Sequence, residues 1–367
     1  MSGYPRLTID LDVVATYTAR LATRLLGEGF SLVGVTKAVD GEPAVGEAML
    51  EAGCAGLADS RLSSLVRLAA HALAPLTLLR APCHDELEVA ANVVDRVLLS
   101  DVATARALGQ QAGGTPIDVL LTVDLGDRRE GVLPSHAPRV AAQLARLPGI
   151  QLAGISVNFG CLSGQLPSIS LIRRADDLLS DVADLCLGEP LLSLGGTCVL
   201  QHLDGFHPTF ATEVRCGGGP LYGYDFVSGA PLDGMTRVNP VLAAVVLECY
   251  RKPPAPLGTS GFDAYGHVPE VDLPDYDAYY SLLNIGRRDS EPRGLRPLLA
   301  DAFVAGATSD VTVLISRSAL EPGDIVHFAV DYDALVQSMT SPFVTREFVH
   351  AGARWQPDAP AAAQTEP

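Results

Sequence analysis

Eight short apolar runs divide the first two thirds of this chain, at residues 31–36, 55–58, 76–79, 96–99, 117–123, 152–157, 191–194 and 211–214. Mostly helical patterns fill the intervals, at 45–52, 61–73, 85–94, 103–111, 137–147 and 170–187. Strands separated by helices pair in parallel, and eight such units close into a (β/α)8 TIM barrel. Chemistry in such barrels sits at the carboxyl ends of the strands, and Lys37, Asn158, Thr197 and Arg215 all fall there.

The flanks read differently. Residues 5–13, PRLTIDLDV, alternate apolar and polar side chains and read as a strand, with a helix over 14–28. From residue 238 onward PVLAAVVLECYR, SLLNIGRR, DVTVLIS and DIVHFAVDY are strand-like, between Pro/Gly turns. The predicted organisation is α/β: a strand over 1–11 that pairs with the β-rich part, a barrel over 12–235, a C-terminal β-rich domain over 236–350, and a disordered tail rich in Ala, Pro and Gln over 351–367.

Composition narrows the function classes. The 26 Lys and Arg against 43 Asp and Glu leave a net charge of −17, with no basic run, which argues against nucleic-acid and anionic-membrane partners. No apolar run is long enough to span a bilayer, and MSGYPRLTIDLD has no secretory pattern, so a cytoplasmic protein is expected. The 7 cysteines are scattered without a CxxC, as reduced thiols would be. Cys198, His202 and His207 match no standard zinc spacing, and no metal is expected.

SLVGVTKAVDG, residues 31–41, ends a buried strand on a lone Lys37. Desolvation there favours a neutral amine, which can condense with a carbonyl, although such a turn is also the ordinary place for a surface lysine. DLGDRREG (124–131) offers Arg129 to a carboxylate, or is a salt-bridged loop. In NFGCLSG (158–164) Asn158 can orient a neighbour without titrating, while Cys161 lacks a histidine base and reads as an ordinary loop thiol. SLGGT, with Ser193, Gly195, Gly196 and Thr197, and RCGGG, with Arg215, Gly217 and Gly218, follow the last two barrel strands, the usual phosphate cradle of this fold. GFDAYG (261–266) presents Tyr265, either a phenolic acid–base group or a packed aromatic. Asp310 and Tyr332 are equally ambiguous by themselves.

Together GVTKAVDG, LADSRL, LLRAP, VDLGDRREG, ISVNFGC, KPPAPLG, GFDAYG, GATSDV and TSPFV resemble the fold-type III, pyridoxal-phosphate-dependent amino-acid racemases. The likeness is nearest to the ornithine-racemase-like branch and more distant to alanine racemase, and it covers nearly the whole chain up to about residue 348. It implies pyridoxal 5'-phosphate as cofactor, a free amino acid as substrate, and a head-to-tail homodimer with active sites between subunits. Lys37 would be the Schiff-base lysine and the base on one face. Tyr265 matches the tyrosine base that alanine racemases supply from the partner subunit. Arg215 would face the pyridine nitrogen, and Thr197, Gly217, Gly218 and Tyr332 would hold the phosphate. Arg129 and the Asp310 loop would lie near the substrate carboxylate, and Asn158 replaces a histidine that contacts the arginine in alanine racemase. The reaction implied is two-base racemisation or epimerisation, with a basic amino acid such as ornithine or lysine as the family default.

This chain has LGGTCV where that branch usually has SGGNSS, RCGGG for RIGEA, Tyr265 for Phe, and SDV for SDH, which leaves substrate identity open. Two other readings share the cofactor: a non-catalytic carrier or regulator, and an enzyme of different reaction type, such as a decarboxylase or a biosynthetic epimerase.

Overall fold

The computed structural model describes residues 3–350, apart from 233, 237, 254–258, 260, 263–264, 267 and 269–273. The tail at 351–367 and parts of the KPPAPLG and GFDAYG stretches therefore lie outside the described residues. The chain divides into two compact units, one spanning Asp12–Thr236 and the other joining the opening strand to the chain that follows.

Strand β1 (Arg6–Asp10) runs directly into helix α1 (Leu11–Gly27). The helix begins three residues before the expected 14. Leu11, Val14, Leu21 and Leu25 are all buried, so the apolar residues after Asp10 follow helical spacing rather than strand alternation. The barrel strands are β2 (Phe30–Val35), β3 (Gly56–Asp59), β4 (Leu76–Leu78), β5 (Arg96–Leu99), β6 (Ile117–Thr122), β7 (Ile150–Asn158), β8 (Leu191–Gly195) and β9 (Ala211–Cys216). They pair in parallel in that order, and β9 returns to β2 to close the ring. Helices α2 (Pro43–Glu51), α3 (Leu62–Ala70), α4 (Leu87–Val93), α5 (Val102–Gln111), α6 (Ala137–Leu144) and α7 (Ile169–Ser180) fill the intervals. Helix α7 stops at Ser180 rather than near 187, and a separate tight turn follows at Ala183–Leu185. A short helix α8 (Gly218–Tyr222) and a two-rung hairpin, β10 (Tyr224–Asp225) with β11 (Ala230–Pro231), end the unit.

Part of the bore is filled as barrels usually are. Val33, Val35 and Ala58 pack with Leu79 on one side, and Leu98, Leu120 and Ala153 pack with Leu79 and Leu191 on another. Strand β7 slips by one residue against β6 at Gly154, where φ is +153° and an added Cβ would sit 1.9 Å from the Leu191 carbonyl oxygen. Only glycine fits that approach.

The second unit is a sheet ordered β14–β17–β12–β13–β16–β15, from β12 (Val241–Lys252), β13 (Ala278–Leu283), β14 (Leu295–Pro297), β15 (Ala302–Ala307), β16 (Thr312–Ser316) and β17 (Ile325–Val330). Its neighbours pair antiparallel. Strand β1 joins it, antiparallel to β12. Helix α9 (Tyr332–Thr340) interrupts the expected run of strands before β18 (Thr345–Val349), which lies parallel to β1. DIVHFAVDY is therefore not one strand. It ends at Val330, and the Asp331 carboxylate accepts a 3.0 Å hydrogen bond from the Ala334 N–H, capping the helix.

Candidate active site

Lys37 stands just beyond the carboxyl end of β2, as the first residue of a tight turn over Lys37–Val39. The strand end is pinned from β3: the Thr36 hydroxyl donates to the buried Asp59 carboxylate at 2.9 Å, and the Thr36 N–H to the Ala58 carbonyl at 3.0 Å. Burial raises the Asp59 pKa despite the hydrogen bonds from Arg61 and Thr36 that oppose it. After the turn, Asp40 takes a left-handed conformation, and Gly41, also left-handed, lies so close to Ser64 that a Cβ would fall 2.5 Å from the serine Cβ. The lysine is half-buried, between the pinned strand end and this tight turn.

Strand β9 lies beside β2, with Arg215 in register with Val33. Arg215 is 5 % exposed. Its guanidinium donates to the Ser193 hydroxyl and, at 3.2 Å, to the Val157 carbonyl. Burial lowers its pKa to about 10, with the Glu213 carboxylate opposing that shift. Gly195 on β8 makes room for this group: a Cβ there would sit 2.3 Å from Arg215 Nη2 and 2.6 Å from Asn158 Oδ1. Asn158 donates through Nδ2 to the buried Asp127 carboxylate at 3.1 Å. Asp127 also receives the Leu162 and Ser163 N–H groups at 3.0 and 3.2 Å, tying the DLGDRREG loop to the NFGCLSG loop. Burial works against that carboxylate, but these donors outweigh it and leave its pKa below the usual range.

The two glycine-bearing turns meet. The Gly218 N–H donates to Thr197 Oγ1 at 3.1 Å, and Cys216 Sγ lies 3.4 Å from the same oxygen. Gly196 has φ +108°, and a Cβ on Gly217 would sit 2.9 Å from the Val35 carbonyl oxygen. Both glycines are packed against neighbouring backbone, Gly196 against the Phe159 carbonyl and Gly217 against the end of the strand before Lys37.

Lys37, Arg129, Asn158 and Arg215 line a single cavity of about 290 Å3. Sequence reasoning passed over other wall residues, among them Thr122, Glu130, Asp101 and Arg80. Arg80 is clamped by Glu86 through two bonds of 2.8 and 2.7 Å and donates from Nε to the Ser60 carbonyl at 2.7 Å. Arg129 does not present a free fork: Glu130 takes both its Nε and Nη2. Burial lowers the Arg129 pKa, but Glu130, together with Cys161 and Asp127, outweighs it and the net shift is upward. Glu213 was also missed. Its signal was legible, as an acid two residues before Arg215 and hence on the same face of one strand.

Tyr265, Asp310 and Tyr332 belong to the other unit. The Arg287 guanidinium lies 4.5 Å from the centre of the Tyr265 ring. Asp310 accepts from the Ser309 hydroxyl at 2.7 Å and sits 3.7 Å from Arg288. Tyr332 is partly exposed at the first turn of α9.

Residues 9–225 match the alanine racemase N-terminal domain. The chain belongs to this family. Its members depend on pyridoxal phosphate. A lysine racemase of Thermotoga maritima is 29 % identical over 357 residues, 94 % of this chain and 98 % of that one. An ornithine racemase of Acetoanaerobium sticklandii is 27 % identical over 357 residues, 94 % of this chain and the whole of the relative. The fold is shared with the alanine racemase of Streptomyces coelicolor A3(2), with a TM-score of 0.73 at 20 % identity over 94 % of this chain and 97 % of that one. A D-threonine aldolase from Filomicrobium marinum matches as well, with a TM-score of 0.73 at 17 % identity over 95 % and 92 %.

The residues present fit the family's cofactor. One cavity holds a lysine amine, which can condense with an aldehyde, and a guanidinium, which can donate to a ring nitrogen, and the glycine turns around Thr197 lie at the neighbouring strand ends. No helix among the described residues is long and apolar enough to cross a membrane.

Proposed function

We propose that this chain is a pyridoxal-phosphate-dependent racemase of a free basic amino acid, lysine or ornithine. The observation that carries the reading is the convergence of Lys37 and Arg215 on one cavity. The names of the two curated relatives support the substrate class.

Bound pyridoxal phosphate supplies the electron sink that acidifies the Cα hydrogen of an attached amino acid. Lys37 Nζ takes or returns that proton on one face. Tyr265 of the partner subunit does so on the other through its phenol oxygen, and two proton carriers on opposite faces invert the stereocentre. Arg215 offers only N–H donors and keeps its own proton, so it would hold a ring nitrogen of the cofactor as an acceptor without protonating it. The Gly196–Thr197 and Gly217–Gly218 turns, and Tyr332, would hold the phosphate, while Ser193 and Gly195 back Arg215. Arg129 exchanges Glu130 for the substrate carboxylate, with Asn158 and Asp310 nearby. The working form is a cytoplasmic head-to-tail homodimer.

The test is direct. Protein loaded with cofactor should absorb near ~420 nm, the band of a lysine-bound cofactor. It should also convert L-lysine or L-ornithine to the D-form on chiral chromatography. Lys37→Ala should lose both. Retention of band and turnover in that variant overturns the assignment. A band in the parent protein without solvent-deuterium exchange at Cα, across a panel of amino acids, identifies a carrier instead.

A further inference from the structure

A buried polar string crosses the barrel bore beneath the cavity. Ser193 on β8 and Glu213 on β9 are register partners, and the serine hydroxyl donates to Glu213 Oε1. The same hydroxyl accepts from Arg215 Nη1. On the other side Glu213 Oε2 accepts from Arg96 Nη1 at 3.1 Å. Arg96 opens β5, four strands around the ring from β9, so this bond spans the bore. Ser193 is 0 % exposed and Glu213 5 %.

Such a string is not what stabilises a barrel. Bores are ordinarily packed with branched apolar side chains, as Val33, Val35, Leu98 and Leu120 do here. Buried ion pairs lose in desolvation most of what they gain in attraction, and apolar replacements of similar volume are often neutral or better. The string does have a direction. It begins at Arg96, passes its one negative charge to the middle, and ends on the guanidinium that lines the cavity. The hydroxyl can make both bonds only in one sense, as donor to Glu213 and acceptor from Arg215. That sense fixes the position of Nη1 and leaves Nη2 on the Val157 carbonyl.

We propose that Glu213, acting through the Ser193 hydroxyl and held by Arg96, is a positioning residue that fixes the Arg215 guanidinium as the charged floor of the cavity. The inference rests on the cofactor reading above, since the floor is what a ring nitrogen would meet. Glu213 itself touches neither cavity nor cofactor and works at one remove.

The test is a mutant cycle read as the equilibrium dissociation constant of pyridoxal phosphate from the apoprotein, with thermal melting alongside. Glu213→Gln keeps the shape and removes the charge. It should weaken cofactor binding ~10-fold. Arg215→Ala should weaken binding as well, and adding Glu213→Gln to it should change the constant by less than about twofold, because the carboxylate then has nothing to hold. Ser193→Ala, which leaves the Arg96–Glu213 pair intact, should reproduce the loss, and Ser193→Thr should restore binding. It also keeps the proposal testable should Glu213→Gln fail to fold. Equal losses from Glu213→Gln with and without Arg215, or parent-like binding in both Glu213→Gln and Ser193→Ala, overturn the proposal. If the parent protein binds no cofactor, the functional reading has failed instead.

Discussion

At the scale of single residues, two glycines separate site from scaffold. Gly195 keeps an ordinary backbone conformation, and the atoms nearest an added Cβ belong to Arg215 and Asn158. Gly195→Ala should therefore fold and melt nearly as the parent while binding cofactor ~10-fold more weakly, as an intruding methyl displaces the guanidinium. Gly154→Ala meets backbone 1.9 Å away at positive φ and should yield little folded protein. Visible titration and thermal melts of the pair distinguish the two cases. Gly-Gly next to Thr197 was legible as a feature, yet its purpose was not. The sequence pattern pointed to phosphate for the whole SLGGT turn; what it did not show is that the Ser193 hydroxyl accepts from Arg215 on the next strand and that Gly195 leaves that guanidinium room.

At the scale of elements, the loop from β4 to α4 is set by one clamp. Glu86 receives both Arg80 Nη atoms, and its pKa falls from the usual 4.5 to about 2 through the arginine hydrogen bond, with burial opposing. A lowered carboxylate pKa gives stability that is complete above pH 4.5 and lost as the pH falls toward 2. Glu86→Gln should be less stable than the parent at neutral pH, and the gap should close over that acid window in denaturant titrations. The eight barrel strands were readable because each is a compact apolar run bounded by helical spacing. Helix α9 was not, because IVHFAV alternates like a strand up to the residue where Asp331 begins a cap. The string from Arg96 to Arg215 was hidden for another reason. Glu213 and Arg215 share one strand face, but Arg96 and Ser193 stand far from them in sequence, and only the ring order and the β8–β9 register bring those two in.

At the scale of the whole molecule, the C-terminal sheet takes in a strand from the other end of the chain. Leu7 and Ile9 on β1 are 0 % exposed, and Leu7→Ala should cost ~2–4 kcal/mol in that unit. Hydrogen exchange should accelerate in β12 and β18, the two strands that flank β1. The pairing also orders events during synthesis. Arg6 and Glu347, joined by a 3.3 Å ion pair, are separated by 341 residues. Strand β1 precedes every barrel strand in chain order and both of its partners, β12 and β18, follow the barrel, so this part of the sheet cannot pair until the barrel segment has been synthesised. The sheet thus closes over a loop as long as the whole barrel segment.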